Sequence, residues 1–458
     1  MTGLAAVLAH LENGHDRILG ELVELASIPS ISTDPAHAAD VHAAAAWVAA
    51  KLAAAGPFTV RTIPTPGSSI VYAEWLGAPG APTALIYGHY DVQPADPVEL
   101  WHSPPFSPTL RDGRLYARGA SDDKGPMLIA IKVAEAFFAV QGRLPINVKF
   151  LIEGEEETGS PNLEPFVAEH LELLAADVVI SADGGMWRID EPSLTVANRG
   201  LAGLELTLRG AAKDLHSGRH GGSVANPLHA MAQLIATLHQ PDGRVAVAGF
   251  YDRVCELSSA ERAEIAALPF DEAVYLRQVG ASVAAGEPGY STLERQWTRP
   301  TLELNGMWGG YQGPGQKTVV PSEAHAKITC RLVPDQDPDE IVALVERHLE
   351  SHVPVGTQIT ITRGDHGARP FHLNRDNRVL KAAEAALEAN YGVRPLIVRM
   401  GGTVPVAEIF QRLMKLDTVY FSFSTGDEDF HAPNEFFRVH RLHEGLAAWA
   451  RLWEHLGR

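Results

Sequence analysis

Cysteine is nearly absent from this 458-residue chain. Cys255 and Cys330 are the only two, too few for a disulfide framework, so a reducing compartment is compatible. Positive charge is also scarce: 38 Lys and Arg stand against 56 Asp and Glu, a formal charge of −18. That balance argues against nucleic acid and anionic membranes as partners. No apolar run approaches the roughly 20 residues of a membrane-spanning helix, and the N-terminal segment lacks a basic start followed by a long apolar core. A cytoplasmic protein with no export signal is therefore expected. The chain has no Gly-x-Ser-x-Gly elbow of a serine hydrolase and no Gly-x-Gly-x-x-Gly nucleotide fingerprint. Internal repeats and low-complexity tracts are missing as well.

What is present is a set of acids and histidines placed at the ends of apolar runs. The run 83–87 leads into Gly88-His89-Tyr90-Asp91, which reads as the C-terminal end of a buried strand, where open α/β sheets place ligands. His89 and Asp91, two apart, point the same way on an extended backbone. Glu156 and Glu157 follow the strand-like run 146–152, and Asp183 ends the run 177–182. Asp122 lies in the polar turn 118–125, ahead of a helix-like apolar stretch, and His431 lies near the C-terminus. Several carboxylates gathered at one sheet edge repel one another in a partly dry site unless cations neutralise them. Imidazole with carboxylate suits zinc, cobalt or manganese. The inventory is that of a two-metal hydrolase.

At 458 residues the chain exceeds a single typical core, so two domains are expected. A helical stretch near 4–26 and alternating strands and helices through Asp183 predict an α/β domain with a mostly parallel sheet. The pattern then changes to an alternating strand at 204–208 and a helix over 227–238. A long variable stretch rich in acids, glycine and proline follows. A strand over 327–333, a helix over 338–349 and a strand over 358–362 complete a small α+β unit. An alanine-rich helix from about 374, ending near Tyr391-Gly392, returns the chain to the first domain. The expected boundaries are 1–197 and 374–458 for the α/β domain, with 198–373 inserted.

These segments resemble the M20 metallopeptidase family, which holds aminoacylases, glutamate carboxypeptidases, desuccinylases and carnosinase-like dipeptidases. The likeness to the last branch rests on Asp214-Leu215-His216-Ser217-Gly218, Lys317-Thr318-Val319-Val320-Pro321, Cys330-Arg331-Leu332-Val333-Pro334 and His431-Ala432-Pro433-Asn434-Glu435. It runs over nearly the whole chain. The resemblance implies two divalent ions, Zn2+ with Mn2+ or Co2+ as alternatives. One would be held by His89 and Asp183, the other by Glu157 and His431, with Asp122 bridging. It implies Glu156 as general base and Asp91 as the carboxylate that orients a metal-bound histidine. A cis peptide at Asp122-Asp123 belongs to the same pattern.

The resemblance further implies that the inserted unit serves as lid and dimerisation domain of a homodimer. His216 would stabilise the oxyanion, either from the partner subunit or within its own chain after lid closure. Arg331 would bind the substrate's free carboxylate, with Thr318, Gly402 and Thr403 as neighbouring contacts. A guanidinium meets a carboxylate through two parallel hydrogen bonds. Arg331 also has a plainer reading, as a strand-face arginine in an ordinary ion pair. The implied activity is hydrolysis of dipeptides or short peptides with a free C-terminal carboxylate. An N-acyl-amino-acid deacylase or desuccinylase would use the same metals and base, and a non-catalytic metal-bound scaffold would have no need of Glu156. His220, His229, His366 and the helix-surface His443 lie outside these motifs and read as surface or hydrogen-bonded groups.

Overall fold

The computed structural model describes residues 3–364 and 367–458; Met1, Thr2, Asp365 and His366 lie outside them. The strands of the two main sheets are, in chain order, β1 (Thr59–Ile63), β2 (Ile70–Trp75), β3 (Thr83–His89), β4 (Asn147–Glu153), β5 (Val178–Ser181), β6 (Gly200–Arg209), β7 (Thr301–Gly309), β8 (Glu323–Leu332), β9 (Gln358–Arg363) and β10 (Thr418–Tyr420). Two units result. One comprises Met1–Val196, Leu373–Val398 and Val406–Arg458, the other Ala197–His372 and Arg399–Pro405.

The first unit is an α/β domain around a six-stranded sheet of order β1-β2-β4-β3-β5-β10. The pairs β4/β3, β3/β5 and β5/β10 are parallel, and β1/β2 and β2/β4 are antiparallel. Every residue of β4 and β5 is buried, and β3 is buried from Ala84 to His89. Such doubly covered strands read as continuous apolar runs. One face, carrying Tyr72, Leu85, Tyr87, Leu151 and Val179, packs against Phe166, Val167, Leu174 and Phe410. The other receives helices Ala38–Ala55 and Gly125–Gln141, which contact β2 and β3. Helix Gly125–Gln141 is buried almost all round, from Gly125 to Phe137, and helix Val439–Leu456 packs on it. Among the described residues no helix is long and apolar enough to cross a membrane.

The second unit is an antiparallel four-stranded sheet of order β7-β8-β6-β9. Leu204, Leu206 and Leu208 of β6 alternate inward with Ala324, Ala326 and Ile328 of β8. Helices Pro227–Ala236 and Pro338–Ser351 cover that face. Each starts with proline at its first turn after a capping side chain: Asn226 accepts the Leu228 N–H, and Asp337 accepts those of Asp339 and Glu340.

Three features depart from the sequence expectation. The N-terminal helical stretch is two helices, Leu4–Asn13 and His15–Ala26, broken at Gly14. The variable stretch contains helices Ser259–Ala266, Glu272–Gln278 and Thr292–Thr298 and all of β7. β7 was hidden because five of its nine residues are exposed and a register shift between Leu304 and Gly306 destroys its alternation. Finally, Ala197, Leu373 and Arg399–Pro405 fall on the opposite side of the expected boundaries, 1–197, 198–373 and 374–458. The last segment joins the second unit because Arg199 binds its carbonyls, a contact across 200 residues that no local pattern announces.

Candidate metal centre

The parallel strands of the first unit deliver their ligands at one edge. His89 is the last residue of β3, and Asp183 lies two residues past β5. Glu156 and Glu157 open the short turn Glu156–Thr158 after β4, and His431 sits between β10 and the strand Phe436–Arg438. Asp122 occupies an extended position, φ −124° and ψ 95°, just before helix Gly125–Gln141, and its peptide bond to Asp123 is cis. Gly88 has a steric reason: a Cβ there would stand 2.8 Å from the Asp123 carboxylate, which accepts the His89 backbone N–H at 3.2 Å.

Two groups of potential ligand atoms form, and they share one residue. His89, Asp122 and Asp183 make the first; Asp122, Glu157 and His431 make the second, with the ligand atoms of each group within 4.8 Å of one another. Asp122 divides its carboxylate between them: Oδ1 is 3.1 Å from His89 Nε2, and Oδ2 is 3.1 Å from His431 Nε2. Glu157 Oε2 lies 3.2 Å from the same His431 nitrogen. His89 is fully buried, whereas the His431 side chain is 53% exposed. His431 also adopts a left-handed backbone, φ 59°, uncommon for a non-glycine residue. Such strain concentrates at functional sites.

The electrostatics describe a centre short of cations. Despite burial, His431 and His89 hold the Asp122 carboxyl well below the ordinary carboxylate range. Burial raises Glu156 well above that range; the pull of His89 opposes it, and the charges of Asp183, Glu157 and Asp122 reinforce it. Burial likewise pushes Asp183 up to about 6. Hydrogen bonds to Asp122 and Glu157 push His431 up to about 10. An imidazole with two carboxylates in each group suits divalent ions, whose charge would offset the crowded carboxylates. Glu156 belongs to neither group.

Asp91 stands behind the ligands. Its Oδ1 is 3.4 Å from His89 Nδ1, and its carboxylate accepts the backbone N–H groups of Glu156 and Glu157. Sequence reasoning did not assign two further supports. Gln93 donates from Nε2 to Glu157 Oε2 at 2.9 Å. Glu435, fully buried, accepts the N–H groups of Gly119, Ser121 and Asp122 and the Arg118 guanidinium at 2.6 Å, fixing the Asp122 turn. An acid four residues after His431 and directly before Phe436-Phe437 was the available signal.

The remaining predicted residues lie in the second unit, as two pairs. Arg331 Nη1 donates to Thr403 Oγ1 at 2.8 Å, and Thr403 follows the half-buried Gly402. His216 pairs with Val319 in a two-stranded ribbon, and the exposed Thr318 lies just before Val319, its carbonyl accepting the Ser217 N–H. His216 Nδ1 accepts the Gly218 N–H at 3.0 Å, so the neutral ring carries its proton on Nε2.

Residues 85–455 match the model of peptidase family M20/M25/M40. The chain is 29% identical over 457 residues to the Cys-Gly metallodipeptidase dug1 of Schizosaccharomyces pombe, covering 95% of this chain and 94% of that protein. It is 31% identical over 397 residues to the Beta-Ala-His dipeptidase of Homo sapiens, covering 85% and 77%. Among solved structures it is similar to the M20 family metallo-carboxypeptidase Sso-CP2 from Sulfolobus solfataricus, with 32% identity, a TM-score of 0.83 and coverage of 96% and 99%.

Proposed function

The chain belongs to peptidase family M20/M25/M40 and is a hydrolytic enzyme of that family; on that premise we propose a dinuclear dipeptidase. It cleaves the amide bond of dipeptides or short peptides with a free C-terminal carboxylate. The observation that carries this reading is the pair of ligand groups sharing Asp122, with Glu156 beside both and bound into neither.

His89 and Asp183 would hold one ion and Glu157 and His431 the other, with Asp122 common to both sets. Divalent ions there, zinc first and manganese or cobalt as alternatives, would supply Lewis acidity. Glu156 would act as general base toward the attacking water and pass the proton to the leaving amine. Asp91 orients His89 and steadies the Glu156–Glu157 turn. His216 donates from Nε2 to the developing oxyanion; its fixed tautomer supports that role.

Arg331, which meets Thr403 next to Gly402, binds the terminal carboxylate, and Thr318, beside His216 in the ribbon, is a separate substrate contact. That Arg331 forms no ion pair among the described residues favours a guanidinium kept for substrate over an ordinary strand-face salt bridge. A homodimer assembled through the second unit is part of the reading. The sheet-edge strand β7 exposes Leu304, Met307 and Trp308, an apolar strip open to a second copy. A cytoplasmic location agrees with two unpaired thiols.

The test is turnover on dipeptides, their C-terminal amides and N-acyl amino acids, with zinc, manganese or chelator added. Chelator-sensitive cleavage confined to free-carboxylate peptides is expected. Preference for N-acyl amino acids would select a deacylase, and silence with every metal would leave a scaffold. Longer peptides belong in the panel because the similar archaeal protein is called a carboxypeptidase.

A further inference from the structure

Arg199 lies outside the roles assigned above, yet it is hydrogen-bonded to the residues directly before Thr403, the partner of Arg331. Its backbone N–H is shared between the carbonyls of Met400, at 3.2 Å, and Gly402, at 3.1 Å. Its Nε donates to the carbonyl of Gly401 at 2.9 Å. One residue therefore holds three successive carbonyls, and the next residue along, Thr403, meets Arg331 Nη1 at 2.8 Å. Arg199 Nη1 also reaches the Arg299 carbonyl at 3.4 Å, two residues before Thr301, which sits opposite Arg331 in the β7/β8 register. The turn itself is closely fitted. A Cβ on Gly401 would stand 2.9 Å from the Gln296 carbonyl and 3.2 Å from the Arg199 guanidinium.

The second observation is charge. Arg199 and Arg331 line one cavity of about 710 Å³, and neither forms an ion pair among the described residues. Burial, then the like charge of Arg331, pulls Arg199 down to about 10, with Glu303 the acid that opposes the shift. Glu303 and Glu287 also line the cavity, Glu287 paired with Arg299, but neither pairs with Arg199 or Arg331 among the described residues; the two guanidiniums repel, and an anion entering beside them relieves that repulsion.

We propose that Arg199 is a positioning residue for the substrate's terminal carboxylate: it sets the turn at Gly401 to Thr403 against Arg331 and adds the second positive charge of an anion receptor. This rests on the reading that Arg331 binds that carboxylate. A purely structural arginine would affect all substrates alike. A positioning arginine acts on substrate affinity, acts through Thr403, and discriminates acids from amides.

The experiment uses the metal-loaded, full-length enzyme with alanyl-alanine and alanyl-alanine amide. Arg199→Gln should raise KM for the acid roughly tenfold, the scale of one lost charged hydrogen bond, with kcat and the amide reaction little changed. Arg199→Lys, which keeps the charge but cannot reproduce the Nε bond, should fall between. The double variant Arg199→Gln/Thr403→Val should lose less than the product of the single losses, because both act on one contact. Equal losses on acid and amide, or losses that multiply, would overturn the proposal. Where Arg199→Gln fails to fold, as read by circular dichroism, Arg199→Lys carries the same comparison, and equal loss on both substrates overturns it there too. Arg331→Gln separates the two levels. If it fails to distinguish acid from amide, the carboxylate reading itself falls. If it distinguishes them and Arg199→Gln does not, only the role of Arg199 falls.

Discussion

The carboxylate of Asp91 accepts the backbone N–H of Glu157 at 3.1 Å. The same side chain takes the Glu156 N–H at 3.3 Å and stands 3.4 Å from His89 Nδ1. One buried acid thus fixes a ligand-bearing turn with its carboxylate, and its backbone carbonyl, 3.1 Å from His89 Nδ1, joins the carboxylate in holding the ring of a ligand from a neighbouring strand. A carboxylate behind an imidazole fixes its tautomer and raises its basicity. Asp91→Asn keeps the shape and loses the charge. Its metal affinity, read by chelator competition, should fall about 10- to 100-fold. Unchanged affinity would reduce Asp91 to a structural residue.

Glu156 is expected to separate chemistry from metal binding, because it belongs to neither ligand group. Glu156→Ala should keep the metal content of the parent enzyme, measured by elemental analysis, while kcat falls by roughly 10²–10⁴. A variant that still turns over at the parental rate would move the general base to another residue.

The parts that were legible in the sequence are those whose cause is local. β3, β4 and β5 are buried on both faces, so each reads as an apolar run, and the ligands come directly after those runs. β6 and β8 have one covered face and alternate visibly. β7 was not legible, since its exposed residues and register shift leave no period to detect. Nor were the long-range supports. Glu435 acts on residues more than 300 positions earlier, and Arg199 on a turn 200 positions later, so neither has a sequence neighbour that betrays its partner. The roles of the ligands came from family resemblance. Their expected grouping around Asp122 came from the same resemblance, and the fold brings those residues together in two groups that share it.

Glu435 offers a stability test of that hidden support. It accepts three backbone N–H groups of the Asp122 turn and pairs with Arg118, which is itself buried. Removing one partner of a buried ion pair leaves an uncompensated charge, a loss of about 3–5 kcal/mol. Glu435→Ala should show a destabilisation of that order in urea unfolding, together with weaker metal retention as the Asp122 turn loosens. A loss under about 1 kcal/mol, the usual worth of an exposed pair, would mean that water replaces the carboxylate.

A pH-dependent test comes from a pair remote in role from the chemistry. His15, at the start of helix His15–Ala26, stacks on His443 of helix Val439–Leu456, with ring centroids 3.5 Å apart and planes 3° from parallel. Burial, followed by the charge of His15, pushes His443 down to about 4, and burial lowers His15 as well. Asp16 opposes both shifts and Glu12 opposes that of His15, while His440 adds to that of His443. In the unfolded chain a histidine titrates near 6.5. Above that pH both states are neutral and the stack carries no electrostatic penalty. As pH falls from about 6.5 towards 4, the unfolded chain binds protons that the folded pair refuses, so stability falls across that window. His443→Phe keeps a ring against His15 and removes one titrating group. Its Tm should fall less between pH 7 and pH 5 than that of the parent enzyme, both measured metal-loaded so that the ligand histidines are matched. Parallel slopes would show that the stack opens or hydrates before it resists protonation.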